Sequence, residues 1–149
     1  MEEEFIVRKI LVAYDGSELS QKAVSEAERQ MARNKETELH LLSIAEITGP
    51  STSAMMQENI TNEQVEKMNH QLTQVKNSIT AENTDVITKV VIAKGKENAG
   101  KSICKYAEHN EIDMIVVGSR GLGNVKGLFL GSVSNNIVQN SVSPVTVVK

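Results

Sequence analysis

The sequence has a single cysteine, Cys104, among 149 residues. One thiol cannot close an intrachain disulfide, and it excludes a Cys-rich zinc site. That cysteine usage is consistent with a reducing compartment. Long apolar runs are also missing, none approaching the ~18 residues a membrane span needs. The chain opens Met-Glu-Glu-Glu, acidic where a signal peptide is basic and then apolar. Together these absences predict a soluble, cytoplasmic domain. Basic clusters are lacking too, and with a pI near 5.7 nucleic acid is not an expected partner. The three histidines, His40, His70 and His109, match no metal motif by spacing. His40 and Cys104 read as structural, the latter as an inert buried thiol. There is no G-x-S-x-G elbow, and Ser132 has no histidine placed to activate it. No catalytic apparatus is predicted.

One absence is regional. All nineteen Asp/Glu and thirteen of the sixteen Lys/Arg lie in residues 1–113, a net charge of −6. Residues 114–149 hold Arg120, Lys126 and Lys149 and no acid, a net +3 that completes the −3 of the whole chain. A carboxylate-free stretch suits a buried strand and helix, and equally suits the seat of an anion, which nearby carboxylates would repel.

What is present fits one domain, long enough to bury roughly two-thirds of its unfolded surface. Lys9–Tyr14 is an apolar run ending at Asp15-Gly16, a buried strand entering a turn. Ser17 or Ser20 caps a helix with Leu19, Ala23, Ala27 and Met31 on one face. Leu39–Ile44 is a second strand, and Gly49–Ser53 has loop composition. A longer helix over 58–80 carries the stripe Val65, Met68, Leu72, Val75, Ile79, which predicts packing on a sheet. Val86–Ala93, a helix marked by Ala99, Ile103 and Ala107, the strand Asp113–Val117, a helix near 132–141 and the strand Pro144–Val148 follow. Strand and helix alternate four times before a final strand. That order predicts an α/β domain of three layers: an open, mostly parallel sheet with helices on both faces. Ligands bind such sheets beyond the strands' carboxyl ends.

Two glycine loops compete for a phosphate. Gly95-Lys-Glu-Asn-Ala-Gly100-Lys101-Ser102 matches G-x-x-x-x-G-K-[ST] and lies between a strand and a helix. In an NTPase phosphate loop Lys101 would reach the terminal phosphates and Ser102 would hold magnesium. The next strand, however, ends in Gly118 and not in a magnesium-binding Asp, and Asp113 stands at its opposite end. The second candidate is Gly118-Ser-Arg-Gly121, nine residues, then Gly131-Ser132. Gly118 and Gly121 would let the chain turn tightly and a ligand approach. At the helix opening on Gly131, free N–H groups and the helix dipole favour an anion, with Ser132 and Ser134 adding hydroxyls and Lys126 on the loop between. A dinucleotide fingerprint fails, because Gly127 falls one residue late and no acid follows.

From about Arg8 to Lys149 the chain resembles the universal stress protein family. The resemblance rests on Ile10-Leu-Val-Ala-Tyr-Asp15-Gly-Ser-Glu18, Asp113-Met-Ile-Val-Val-Gly-Ser-Arg-Gly121, Gly131-Ser-Val-Ser134 and Ser143-Pro-Val-Thr-Val-Val148. The spacing Gly118-x2-Gly121-x9-Gly131-Ser132 resembles the family's ATP-binding branch. The resemblance implies a five-stranded parallel sheet of order 3-2-1-4-5 and ATP held with magnesium or manganese. It implies Ala13, Tyr14 and Asp15 beside the nucleoside, Asp15 touching ribose or supporting the metal, and Ile44 with Val117 flanking adenine. Gly118, Arg120 and Gly121 would line ribose and phosphate, while Gly131, Ser132, Val133 and Ser134 would receive the phosphates. It further implies a homodimer paired through Val145–Val148, an apolar edge strand that physics disfavours leaving open. The family often has Gly-x-Pro after the third strand; Gly95-Lys-Glu97 lacks the proline. Met55 and Met56, in the variable stretch 47–62, read as gap fillers. With Arg120 or Lys126 as the only charge for a terminal phosphate and no general base beyond Asp15, the expectation is a binding protein with slow hydrolysis at most. A nucleotide-free interaction module is the reading from another class.

Overall fold

The computed structural model describes residues 9–33, 36–47, 54–80, 84–94, 98–120 and 130–149, with backbone alone at 54–60 and 94. In chain order the elements are β1 (Lys9–Ala13), α1 (Glu18–Met31), β2 (Thr37–Ile47), α2 (Ala54–Ser78), β3 (Thr84–Lys94), α3 (Ala99–His109), β4 (Met114–Gly118), α4 (Ser132–Asn140) and β5 (Val145–Val148). The five strands form one parallel sheet of order β3-β2-β1-β4-β5. This is the expected α/β architecture.

β1 is the centre of the sheet, and Ile10, Leu11 and Val12 are fully buried. Ile10 and Val12 pack with Ala23, Val24, Ala27 and Met31 of α1 and Leu72 and Val75 of α2. Leu11 turns to the other face, against Ile103 and Ala107 of α3 and Ile137 of α4. A strand covered on both faces reads as a continuous apolar run, which is why Lys9–Tyr14 shows no alternation. Each such Leu or Ile contributes about 1.5–3 kcal/mol of burial. β2 continues from β1 on one side and β4 begins on the other, so the strand order reverses between β1 and β4. That reversal opens a crevice at the carboxyl edge.

Three elements differ in extent from expectation. β2 and β3 each run 11 residues, longer than Leu39–Ile44 and Val86–Ala93, because their polar ends still pair. Thr37 and Thr84 share a hydroxyl hydrogen bond of 2.9 Å, and Asp85 and Lys89 point to solvent from the edge strand. α2 starts at Ala54, four residues before the expected 58. Gly49–Ser53 lies outside the described residues, as do the side chains of Met55 and Met56.

The helix ends explain themselves locally. Ser17 Oγ accepts the Ser20 N–H at 3.2 Å, the expected cap of α1. α3 ends in a Schellman turn: Ile112 N–H donates to Ala107 O at 2.9 Å and Glu111 N–H to Glu108 O at 3.3 Å. Glu111 holds the left-handed position there with φ 53°, where glycine is usual.

Candidate functional site

The carboxyl ends of β1, β2 and β4 meet the amino ends of α1, α3 and α4 around a cavity of ≈ 470 Å³, within the ~300–1,000 Å³ typical of small-molecule sites. Ala13, Tyr14 and Asp15 reach it from β1, Ile44 from β2, and Val117, Gly118 and Arg120 from β4. Gly131, Ser132, Val133 and Ser134 close it from α4. Eleven of the twelve residues expected at the site therefore line one cavity; the twelfth, Gly121, lies outside the described residues, as does Lys126.

The turn after β1 is built by Asp15, whose Oδ1 accepts the Ser17 N–H at 2.9 Å, and by Gly16 at φ +85°, a conformation that calls for glycine. Tyr14 locks β1 to β2: its N–H donates to Leu42 O at 2.8 Å and its carbonyl accepts from Ser43 Oγ at 2.7 Å. The phenol of Tyr14 accepts from Gln21 Nε2 at 2.6 Å while its ring packs beneath α1 and α2.

Gly118 also serves the packing of α1. A Cβ there would stand 2.8 Å from Leu19 Cβ, so its bare backbone lets the start of α1 lie against β4. Just beyond it, Ser119 is a clasp. Its N–H donates to Val148 O at 2.7 Å, and its carbonyl accepts from Gly131 N at 2.7 Å and Ser134 Oγ at 2.8 Å. The hydroxyl proton of Ser134, 2 % exposed, is thus spent inside the protein, and Ser132 is the exposed hydroxyl at this end.

α4 opens on Gly131, which carries no side chain to cap it. The first ladder bond is Asn135 N–H to Gly131 O at 2.9 Å, so the N–H groups of Ser132, Val133 and Ser134 have no partner within the helix. α3 is the opposite case. Asn98 Oδ1 accepts the Lys101 N–H at 2.8 Å, and Glu46 Oε1 accepts the Ala99 N–H at 3.1 Å. A protein carboxylate already sits where the first glycine loop would hold phosphate. Gly100 faces α4, where a Cβ would meet Asn136 Cβ at 2.5 Å. Lys101 is exposed and Ser102 is buried, so the two do not present a joint phosphate and magnesium grip. Gly95–Glu97 lie outside the described residues.

Expectation missed part of the wall: Ser17, Ser20, Ser43, Glu46, Ala99 and Ile103, and from α2 Gln64, Met68 and Gln71. The spacing 64, 68, 71 is itself helical, so the signal was one face of α2 adjoining its apolar stripe. Among the described residues no group of three or more His, Cys, Asp or Glu could hold a metal, and no helix is long and apolar enough to cross a membrane. His40 is buried, its Nδ1 bonded to Tyr106 Oη at 2.6 Å and its Nε2 to Glu38, away from the cavity. Burial pushes the Cys104 thiol above its ordinary value, and burial with the nearby Glu38 charge does the same to Tyr106.

Comparison with known families matches residues 7–149 to the universal stress protein family, and the chain belongs to that family. It is 31% identical over 154 residues to universal stress protein YxiE of Bacillus subtilis, covering 95% of this chain and 98% of that one. With universal stress protein MJ0577 of Methanocaldococcus jannaschii it shares 45% identity over 49 residues, 33% of this chain and 30% of that protein. The solved structure of MJ0577 superposes with a TM-score of 0.87 over 97% of both chains at 26% identity. A universal stress protein solved in complex with cAMP has the same fold, with a TM-score of 0.68 at 21% identity over 97% of this chain and 99% of that one.

Proposed function

We propose that this chain is an ATP-binding universal stress protein, a homodimeric regulator in the cytoplasm whose partners or shape respond to ATP. The observation that carries the reading is the contrast between two helix starts on one cavity. α3 is closed by Asn98 and Glu46, whereas α4 opens uncapped at Gly131 within the carboxylate-free last 36 residues. Free N–H groups and the dipole there favour a phosphate by ~0.3–1 kcal/mol per charge, up to ~2 when partly buried. Arg120 adds positive charge at the same wall. Ile44 and Val117, with Ala99 and Ile103, offer an apolar surface suited to adenine.

The residues also suit a nucleotide-borne magnesium or manganese ion. Such an ion needs only one or two carboxylates besides the phosphates, and Asp15 is a carboxylate on this cavity. Asp15 would orient the ion or a ribose hydroxyl, and Gly118, Gly121 and Ser132–Ser134 would flank the phosphates. The dimer reading is supported by β5, an edge strand whose four residues are all half-buried, and by the exposed apolar Val138 and Val142 before it, the latter 78 % exposed. A calorimetric titration of nucleotide-free protein with MgATP tests the site. Saturable one-to-one binding without matching turnover is expected, and absence of heat would leave an interaction module without nucleotide.

A further inference from the structure

The elements around the cavity contribute chemically different walls. β2, β4 and α3 bring the apolar Ile44, Val117, Ala99 and Ile103, whereas α2 brings the carboxamides of Gln64 and Gln71 on either side of Met68. Neither carboxamide has a hydrogen-bond partner among the described residues, although both are half-buried. The neighbouring serines are already engaged: Ser20 Oγ donates to Ser17 O at 2.8 Å and Ser17 Oγ accepts the Ser20 N–H. Gln71 reaches the turn after β1, its Oε1 lying 3.9 Å from where a Cβ of Gly16 would stand. That places an amide with no hydrogen-bond partner among the described residues at the turn next to Asp15, on the same cavity as the apolar wall and the open start of α4.

We infer that Gln71 is a specificity-determining residue that hydrogen-bonds a ribose hydroxyl of the ligand, making the site selective for ribonucleotides over deoxyribonucleotides. The inference rests on the nucleotide reading above. A nucleoside phosphate has an anionic end, an apolar flat base and a hydroxyl-bearing sugar between them. The start of α4 suits the first and the Ile44–Val117 wall the second, which leaves the sugar at the β1 turn, where the amide of Gln71 faces it. A half-buried amide missing its partner costs about what one hydrogen bond contributes, roughly fivefold to tenfold in affinity.

The test is calorimetric titration with MgATP, 2′-deoxy-ATP and 3′-deoxy-ATP of the wild type, Gln71→Leu and Gln71→Asn, each checked for folding by its Tm. Leucine keeps the volume and the helix propensity without the amide; asparagine keeps the amide on a shorter stem. The wild type should bind at least one deoxy analogue about fivefold to tenfold more weakly than ATP. Gln71→Leu should abolish that difference by weakening ATP alone, with Gln71→Asn between. Equal affinity of the wild type for all three nucleotides, or a difference that survives Gln71→Leu, overturns the inference while leaving the nucleotide site intact. No binding of any of the three by nucleotide-free wild type removes the nucleotide reading itself, and the inference with it.

Discussion

Replacing Gly100 by alanine separates the two possible roles of the first glycine loop. The added Cβ would lie 2.5 Å from Asn136 Cβ and 3.2 Å from Val133 O, where apolar carbons rest at about 3.5–4.0 Å. Both atoms are fixed by the α4 backbone, so no side-chain rotation relieves the clash, and α3 must move off α4 by about an ångström. Overpacking of this kind costs ~1–3 kcal/mol, offset by at most ~1 kcal/mol of helix propensity gained from losing glycine. A 2.5 Å approach belongs in the upper part of that range, ~2–3 kcal/mol, so the net destabilisation is ~1–2 kcal/mol, or a Tm lowered by ~2–8 °C for a chain of this size. Chemical denaturation of Gly100→Ala, Asn136→Gly and the double variant reads it as a cycle. The double variant should recover a large part of the loss. A Gly100→Ala protein as stable as the wild type would refute the close α3–α4 contact and return Gly100 to a candidate phosphate glycine.

Other outcomes follow from single contacts. Glu111→Gly should stabilise the fold by up to ~1 kcal/mol, because the left-handed φ of 53° costs a side chain but not glycine; no gain in urea midpoint would contradict the Schellman turn. Folded Cys104 and Tyr106 hold their protons above the ordinary 9.0 and 10.0. Their contribution to stability is therefore complete below pH 9 and is lost as the pH climbs through the raised values. Denaturation midpoints at pH 8 and pH 10 should show that decline, and Cys104→Ala should reduce it. For the dimer, Val142→Glu changes an exposed position without touching the core, and a lysine at Val147 burdens the edge strand itself. Light scattering should report monomers for both, and dimers unchanged in both would sink pairing at β5.

Legibility of the sequence tracked how strongly each residue's chemistry was forced by its place. The central run Lys9–Tyr14 and the four-residue repeat of α1 announced strand and helix because burial dictates both patterns. The glycine spacing 118, 121, 131 pointed to the carboxyl edge, and the described members of that set do line one cavity. The α2 wall was less legible, since Gln64 and Gln71 in isolation look like the solvated side of an amphipathic helix. Only the height of α2 above the β1 turn gives them something to face. Glu46 was hidden for a similar reason: a lone acid at a strand end says nothing until the Ala99 N–H is 3.1 Å away. The glycines carry a third lesson. Gly100 looks like a ligand glycine in sequence, yet it is bare so that α3 can approach α4, while Gly118 both lines the cavity and lets α1 lie against β4.

The central claim is that the anion seat is the start of α4. MgATP titrated into nucleotide-free wild type, Lys101→Ala and Gly131→Val tests it most directly, once all three are shown to fold. At Gly131 a Cβ alone would rest 3.5 Å from Arg120 Cα and Ser119 O, so alanine fits while the branches of valine intrude at the helix mouth. The account predicts wild-type affinity in Lys101→Ala and at least a tenfold loss in Gly131→Val, the scale of a partly buried helix-terminus contact. Binding that survives Gly131→Val and disappears in Lys101→Ala would contradict it and move the phosphate to the loop before α3.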